Sequence, residues 1–482
     1  MVRIGIILYF ACFYTFAATK YVSPTGVAAW TACTVEGTPC SKATALINAT
    51  TGDEVIFLDG NYSDGLLPIR GGTCTSYNDA NSTKIIFKSK NQYGAVFNES
   101  LPATRTQTNV YVQYNCIVLD GFKIFIPDQA NTTYGIETTT SNYLEVKNTE
   151  ILYAGTLITN DGTFKHADAI MLKAKGWIHH NIIHGTTVGV TIQGLSGAYA
   201  AFPAIVENNL VCDVIKGDLE DADCFKAVQN GATGTFAGSV FRDNECYGWV
   251  DDAFDGLSSS YVKVQHNNFH DPRGDLAAFG TTNHTTCLKP GYTSTNTQII
   301  GNTCTGIPTT TSEHRCIDSN GATSPYVVGN LCSGGYNGIY VPQGSGTGDN
   351  GIYANNTFIG VSNNGIYIAE STAVGTVIYN NIFKAGVKDY LVTAGTSMSG
   401  KCNNFSLGVN QGTYVGDACD ITSNITLLAN SYPPTTLQNN GYRFWDTKPR
   451  PIDANGNAIP DYFIDIGAIQ TQDKQFLPKN IK

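Results

Sequence analysis

The chain has 482 residues, a formal net charge of −10 and a pI near 5.2, a balance that excludes nucleic acid as its natural partner. Past the N-terminus no run reaches ~18 uninterrupted apolar residues, so no segment of the mature chain is built to span a membrane. Fourteen Cys indicate an oxidising compartment, and fifty Gly fit a chain of many tight corners.

Read from the N-terminus, residues 1–18 carry Arg3, the apolar stretch Ile4 to Ala17 and small residues before Thr19, the pattern of a cleaved secretory signal peptide. The mature chain is then a secreted, extracellular protein. Cys12 leaves with the signal, and an odd number of cysteines remains, so a monomer holds at least one unpaired thiol. Cys33 and Cys40 are placed to close a local loop.

From the middle of the chain onward a repeat emerges. An asparagine stands just before an apolar pair in Asn181-Ile-Ile and Asn209-Leu-Val, and at matching points in Asn302-Thr-Cys, Asn330-Leu-Cys, Asn356-Thr-Phe and Asn381-Ile-Phe. The period is roughly 24 to 35 residues, that of a solenoid. A second short run follows each: Gly189-Val-Thr-Ile-Gln, Cys224-Phe-Lys-Ala, Ala253-Phe-Asp-Gly, Cys287-Leu-Lys, Cys316-Ile-Asp, Gly338-Ile-Tyr-Val and Gly365-Ile-Tyr-Ile. Each coil therefore carries at least two short strands.

Short strands between Gly, Asn and Asp turns, with almost no helical periodicity, predict an all-β chain. A right-handed parallel β-helix explains both the strand pattern and the recurring asparagine, which hydrogen-bonds from coil to coil inside a turn. A sandwich would not repeat one asparagine position along so much of the chain. The expected organisation is one solenoid domain over 19–482, with an N-terminal cap and first coils to about 110, regular coils over 111–405 and an irregular C-terminal cover over 406–482. A solenoid grows by adding coils, so this length needs no second domain.

In the stacked register Cys287 lies beside Cys316 and Cys304 beside Cys332, one coil apart. Neighbouring parallel strands lie about 4.8 Å apart, which suits either disulfides or stacked free thiols. Nine Asn-x-Ser/Thr sequons are present, among them Asn48, Asn61, Asn81, Asn131, Asn283, Asn355 and Asn424. Roughly seven are expected by chance, so a glycoprotein is compatible with the sequence but the count alone does not establish one.

The chemistry concentrates in four carboxylates and a lysine at one point of successive repeats. Asp223 opens Asp-Cys-Phe-Lys-Ala, Asp251 and Asp252 open Asp-Asp-Ala-Phe-Asp-Gly with Asp255 as its fifth residue, and Lys289 sits in Thr-Thr-Cys-Leu-Lys-Pro-Gly. Stacked on one wall, four acidic groups repel strongly unless a cation lies among them, and hard oxygen ligands select Ca²⁺. A lysine one coil from such a cation is a candidate base. Taken singly, each aspartate reads as a turn cap; the set points to chemistry. Lys226, Asp255 and Lys289 form one column, and Lys226, Arg273 and Arg315 are the cations available to hold an anionic substrate. His166 and Asp168 occupy the same coil position upstream, and Tyr340 and Tyr367 continue the column downstream as rings able to stack on sugars. His179, His180 and His184 fall on alternating faces and are expected as exposed turn residues.

The series Asp-Cys-Phe-Lys, Asp-Asp-x-Phe-Asp and Leu-Lys-Pro-Gly resembles the active-site region of polysaccharide lyase family 9, the parallel β-helix pectate lyases. The resemblance implies Ca²⁺ on Asp223, Asp251, Asp252 and Asp255, and Lys289 as the catalytic base. More weakly, Tyr21-Val-Ser-Pro-Thr-Gly with Gly52-Asp-Glu-Val-Ile-Phe-Leu-Asp-Gly-Asn-Tyr resembles the opening coil of secreted β-helix proteins, and Tyr442 to Gln470 a closing segment of the same group. Two departures stand out: Cys224 replaces an expected small residue such as Gly, and Lys226 adds an ammonium beside Asp255, where it competes for the carboxylate or binds a substrate uronate. The implied function is a Ca²⁺-dependent, monomeric lyase of pectate or another acidic polysaccharide. The alternatives are a glycoside hydrolase on the same fold, using Asp251, Asp252 and Asp255, and a non-catalytic structural or glycan-binding rod.

Overall fold

Strands of two to seven residues follow one another through the described residues, and each pairs in parallel with strands of the neighbouring coils. The structure, a computed structural model, describes residues 18–415 except 75–78, 99–107, 127–132, 140–142, 154–166, 174, 195–202, 215–221, 230–238, 258, 274–284, 292–293, 343–349, 370–374, 393–396, 402, 406–409 and 412. Residues 1–17 of the expected signal peptide over 1–18, the sequons at Asn131, Asn283 and Asn424, His166, and nearly all of the expected cover over 406–482 lie outside the described residues.

The strands form three parallel sheets of 15, 13 and 12 members, so every regular coil contributes three strands rather than the two that are evident in the sequence. This is a right-handed parallel β-helix. Among the described residues helix is limited to Lys42–Asn48, whose start is capped by Ser41 accepting from the Thr44 amide at 3.1 Å, and the short 3₁₀ turn Asn81–Thr83.

Apolar side chains from all three sheets fill one continuous core; Phe225, Phe254, Leu288, Ile317, Ile339 and Ile366 stack through it in successive coils, all fully buried. Between the first and second sheets runs the predicted asparagine stack, longer than the sequence repeat indicated. In the series Asn181, Asn209, Asn244, Asn267, Asn302, Asn330, Asn356, Asn381 and Asn403, each member after the first accepts the side-chain amide of the preceding one, at 2.9–3.0 Å. The residue before each of the first eight has positive φ, from +53° at Asn208 to +70° at Gly329, which turns the chain sharply while the buried asparagine satisfies the backbone inside the corner. Asn244, Asn267 and Asn403 are not in the sequence repeat, because Glu245, Asn268 and Asn404 follow them where the other members have Ile, Leu or Thr.

Four disulfides link eight of the eleven described cysteines: Cys74–Cys116, Cys224–Cys246, Cys287–Cys304 and Cys316–Cys332. The coil-to-coil neighbours expected from the register are present, since Cys304 and Cys332 are strand partners. The bonds of Cys224, Cys287 and Cys316 run differently, across the core within a single coil from the third sheet to the second. Cys33 and Cys40 do not close a loop. They are buried thiols whose Sγ atoms donate to the Trp30 and Tyr21 carbonyls at 3.3 and 3.4 Å. His179 is also not an exposed turn residue: it is buried against Trp177, with Nε2 3.4 Å from Glu145, whereas His180 is exposed in the turn and His184 pairs with Glu150 at 3.1 Å.

Candidate active site on the third sheet

The third sheet carries a local departure from strand alternation that builds the site. In the strand Asp223–Gln229, Cys224 and Phe225 are both fully buried, Cys224 in its disulfide and Phe225 against Phe241. With two consecutive residues turned inward, the flanking Asp223 and Lys226 both face outward, and they meet at 3.1 Å. Regular alternation would put residues i and i+3 on opposite faces. The same polar, small, apolar, polar unit recurs as Asp252-Ala-Phe-Asp255, Thr286-Cys-Leu-Lys289, Arg315-Cys-Ile-Asp318, Asn337-Gly-Ile-Tyr340 and Asn364-Gly-Ile-Tyr367. The small second residue is required by space: a Cβ on Gly338 would lie 2.4 Å from the Gly365 carbonyl oxygen. Cys224 is thus accommodated at this position by its inward disulfide.

Stacking these units lays two outward columns side by side. Lys226 pairs with Asp255 and Asp255 with Lys289, as the register predicted; Asp318, Tyr340 and Tyr367 continue that column. The other runs through Asp168, Val188, Asp223, Asp252, Thr286 and Arg315.

Three carboxylates, Asp223, Asp251 and Asp252, each present an oxygen within 4.8 Å of the other two. Asp251 reaches the group from the turn just before its strand. Asp255 stands behind them, its Oδ2 3.6 Å from Lys226 Nζ and its Oδ1 3.7 Å from Lys289 Nζ. Lys289 also donates to Asp252 Oδ2 at 3.0 Å. The cluster is nearly closed to solvent: Asp223 and Asp252 are fully buried and Lys226 is 8% exposed, while Lys289 is the most open, its side chain 18% exposed.

Electrostatics follow from this crowding. Burial, then the charges of Asp252 and Asp223, push the Asp251 carboxyl well above the usual carboxylate range. Burial alone would lower Lys289, but the carboxylates around it, Asp252 and Asp255 first, outweigh that effect and hold its pKa well above an ordinary lysine. Four carboxylates facing two ammonium groups form a cluster with excess negative charge and oxygen-only donors, and the buried Asp255 Oδ1 accepts no hydrogen bond. Such a donor set fits a hard divalent cation.

The remaining candidates separate. Arg315 lies in the Asp252 column two coils on, buried, paired with Asp318 and Glu313 and stacked over the Tyr340 ring at 3.9 Å; Tyr340 in turn packs on Tyr367 at 5.5 Å. Arg273 pairs instead with Asp213, and no contact among the described residues joins it to the aspartates. The i, i+3 polar unit is the signal that the sequence reading missed, and it marks Asp318 as a further outward acid in the Lys289 column.

No family model and no curated protein matches this chain. Solved structures do. A mannuronic-acid-specific family 6 polysaccharide lyase from human gut microbiota superposes with a TM-score of 0.52 at 12% identity, over 95% of this chain and 97% of that one. The family 6 polysaccharide lyase of Pseudopedobacter saltans gives 0.51 at 14% identity, over 82% and 96%. The pectate lyase Pel9A aligns over 95% and 90% at 12% identity, but its TM-score of 0.39 carries no weight. At these identities the likeness is one of fold: the parallel β-helix of polysaccharide lyases is shared, and membership of family 9 is not shown.

Proposed function

We propose that this chain is a secreted polysaccharide lyase that cleaves pectate or a related uronate polymer by β-elimination, with Ca²⁺ on the aspartates and Lys289 as the base. The observation that carries the reading is the convergence of Asp223, Asp251 and Asp252 within 4.8 Å, with Lys289 of the next coil 3.0 Å from Asp252. Family 6 lyases on the same fold, one of them specific for mannuronic acid, support a uronate polymer as the substrate class without selecting pectate.

Elimination begins with removal of the proton α to the uronate carboxylate, a step opposed by charge already on that group. Asp223, Asp251 and Asp252 would hold Ca²⁺, with Asp255 behind them. When bound, the ion supplies positive charge that offsets the developing carbanion and the aspartate field that keeps Lys289 protonated. Lys289 is the most exposed member of the cluster and the one able to face a polymer lying on the sheet. As a neutral amine it takes the proton; the electron pair forms the new C=C bond, the bond to the 4-linked oxygen breaks, and the leaving sugar acquires a proton while the other fragment ends in an unsaturated uronide.

A glycoside hydrolase would need an acid and a base carboxyl about 5–5.5 Å apart for retention or about 6.5–9.5 Å apart for inversion and would have no use for a lysine; the contacts of Lys289 with Asp252 and Asp255 favour the lyase. Formation of unsaturated product from polygalacturonate and from polymannuronate, followed by ultraviolet absorbance with added Ca²⁺ or with chelator, tests the reading; hydrolysis without an absorbing product would replace it.

A further inference from the structure

We infer that Lys226 is a resident cation of the carboxylate cluster, a tethered competitor that sets how tightly a divalent ion is held, rather than a contact for the polymer. The inference rests on the metal reading above. Lys226 Nζ lies 3.1 Å from Asp223 Oδ2 and 3.6 Å from Asp255 Oδ2, and its side chain is 9% exposed. A lysine that grips a polymer in an open groove keeps its ammonium at the solvent; this one turns into the cluster.

Asp223 makes the competition direct, because it is one of the three carboxylates that converge and also the nearest partner of Lys226. An ion that draws on Asp223 meets the repulsion of an ammonium already seated on Oδ2, while Oδ1 accepts from the Asp252 amide at 3.2 Å. Strand geometry does not demand a cation there: the strand partner one coil earlier is Thr191 and one coil later Asp255. Lys289 differs in kind, since it is more exposed and takes Asp252 and Asp255 as partners. The two lysines therefore divide the cluster, one sealed beneath Asp223 and Asp255, one at the open side.

Calorimetric titration of Ca²⁺ into metal-stripped full-length protein tests this without reference to activity. Lys226→Gln and Lys226→Met are expected to bind Ca²⁺ at least tenfold more tightly than the unaltered chain, whereas Lys226→Arg, which keeps the charge, gives no gain. Equal or weaker binding by folded Gln and Met variants overturns the inference while leaving the metal reading intact. Absence of Ca²⁺ binding by the unaltered chain and all three variants, alongside an Asp252→Asn control, removes both. Should the substitutions prevent folding, the side-chain ammonium resonance of Lys226 in the unaltered protein serves instead: it is expected to shift on Ca²⁺ addition, and an unmoved resonance at saturation contradicts the inference.

Discussion

Lys289 Nζ lies 3.0 Å from Asp252 Oδ2 and 3.7 Å from Asp255 Oδ1, so the candidate base is also a counter-ion of a candidate metal ligand. One residue thereby couples charge at the cation site to the proton that the reaction must move. Lys289→Ala is expected to lower kcat by about 10²–10⁴, the range for loss of a general base, while Ca²⁺ still binds. Kinetics and calorimetry on the same preparation separate the two effects; loss of Ca²⁺ binding together with activity would assign Lys289 a structural role.

Asp252→Asn removes a fully buried carboxylate from the three that converge. It is expected to abolish the rise in thermal stability that Ca²⁺ gives the unaltered protein, because a ligand that binds only the folded state stabilises it by mass action. A melting temperature that still rises with Ca²⁺ in the variant would move the ion elsewhere.

One column of the site was legible in the sequence because parallel pairing preserves register: once the asparagines set the coil length, Lys226, Asp255 and Lys289 had to stack. The asparagine stack was legible for the same reason. Less accessible was the pair of inward residues at the centre of each unit, Cys224 with Phe225 or Ala253 with Phe254, since strand alternation assigns only every second residue to the core. That doubled inward step puts Asp223 and Lys226 on the same outer face. It also aims Cys287 and Cys316 across the core at the second sheet, which a register drawn along one sheet cannot reveal. The pairing of Arg273 with Asp213 escaped for a related reason, because it joins turns 60 residues apart in sequence.

Disulfide mapping by proteolysis and mass spectrometry is expected to recover Cys287–Cys304 and Cys316–Cys332. Peptides joining Cys287 to Cys316, or Cys304 to Cys332, would show bonding between coils and contradict the cross-core arrangement.

Asn302 sits mid-stack, fully buried; its amide donates to the Val264 and Asn330 oxygens at 2.9 and 3.0 Å, and its carbonyl accepts twice from Asn267. Asn302→Ala strands buried polar groups on both neighbouring coils and is expected to cost about 2–4 kcal/mol. Denaturant unfolding measures this; a change below about 0.5 kcal/mol, the level of an ordinary surface substitution, would deny the stack its structural role.

Glu145 provides an acid-sensitive contact on the first sheet. Burial would raise its pKa, but hydrogen bonds from His179 and Lys147 and the charges of Lys147 and Lys84 outweigh that and bring it down to about 2. A depressed carboxylate contributes stability above its unfolded value of about 4.3, and the contribution is lost as pH falls toward 2. Glu145→Gln is therefore expected to be less stable at neutral pH, by on the order of 2 kcal/mol, with the gap closing below pH 4. A gap that stays constant from pH 7 to pH 2.5 would show that the carboxylate's charge is not what the site uses.

The most direct measurement is the ultraviolet absorbance of unsaturated product released from uronate polymers by purified protein, with Ca²⁺ or with chelator, beside Lys289→Ala. Absorbance that grows only with both Ca²⁺ and Lys289 present is the expected result. A folded protein that releases no such product from pectate, alginate or any other uronate polymer, at any Ca²⁺ concentration, would contradict the lyase assignment and leave a structural or glycan-binding β-helix in its place.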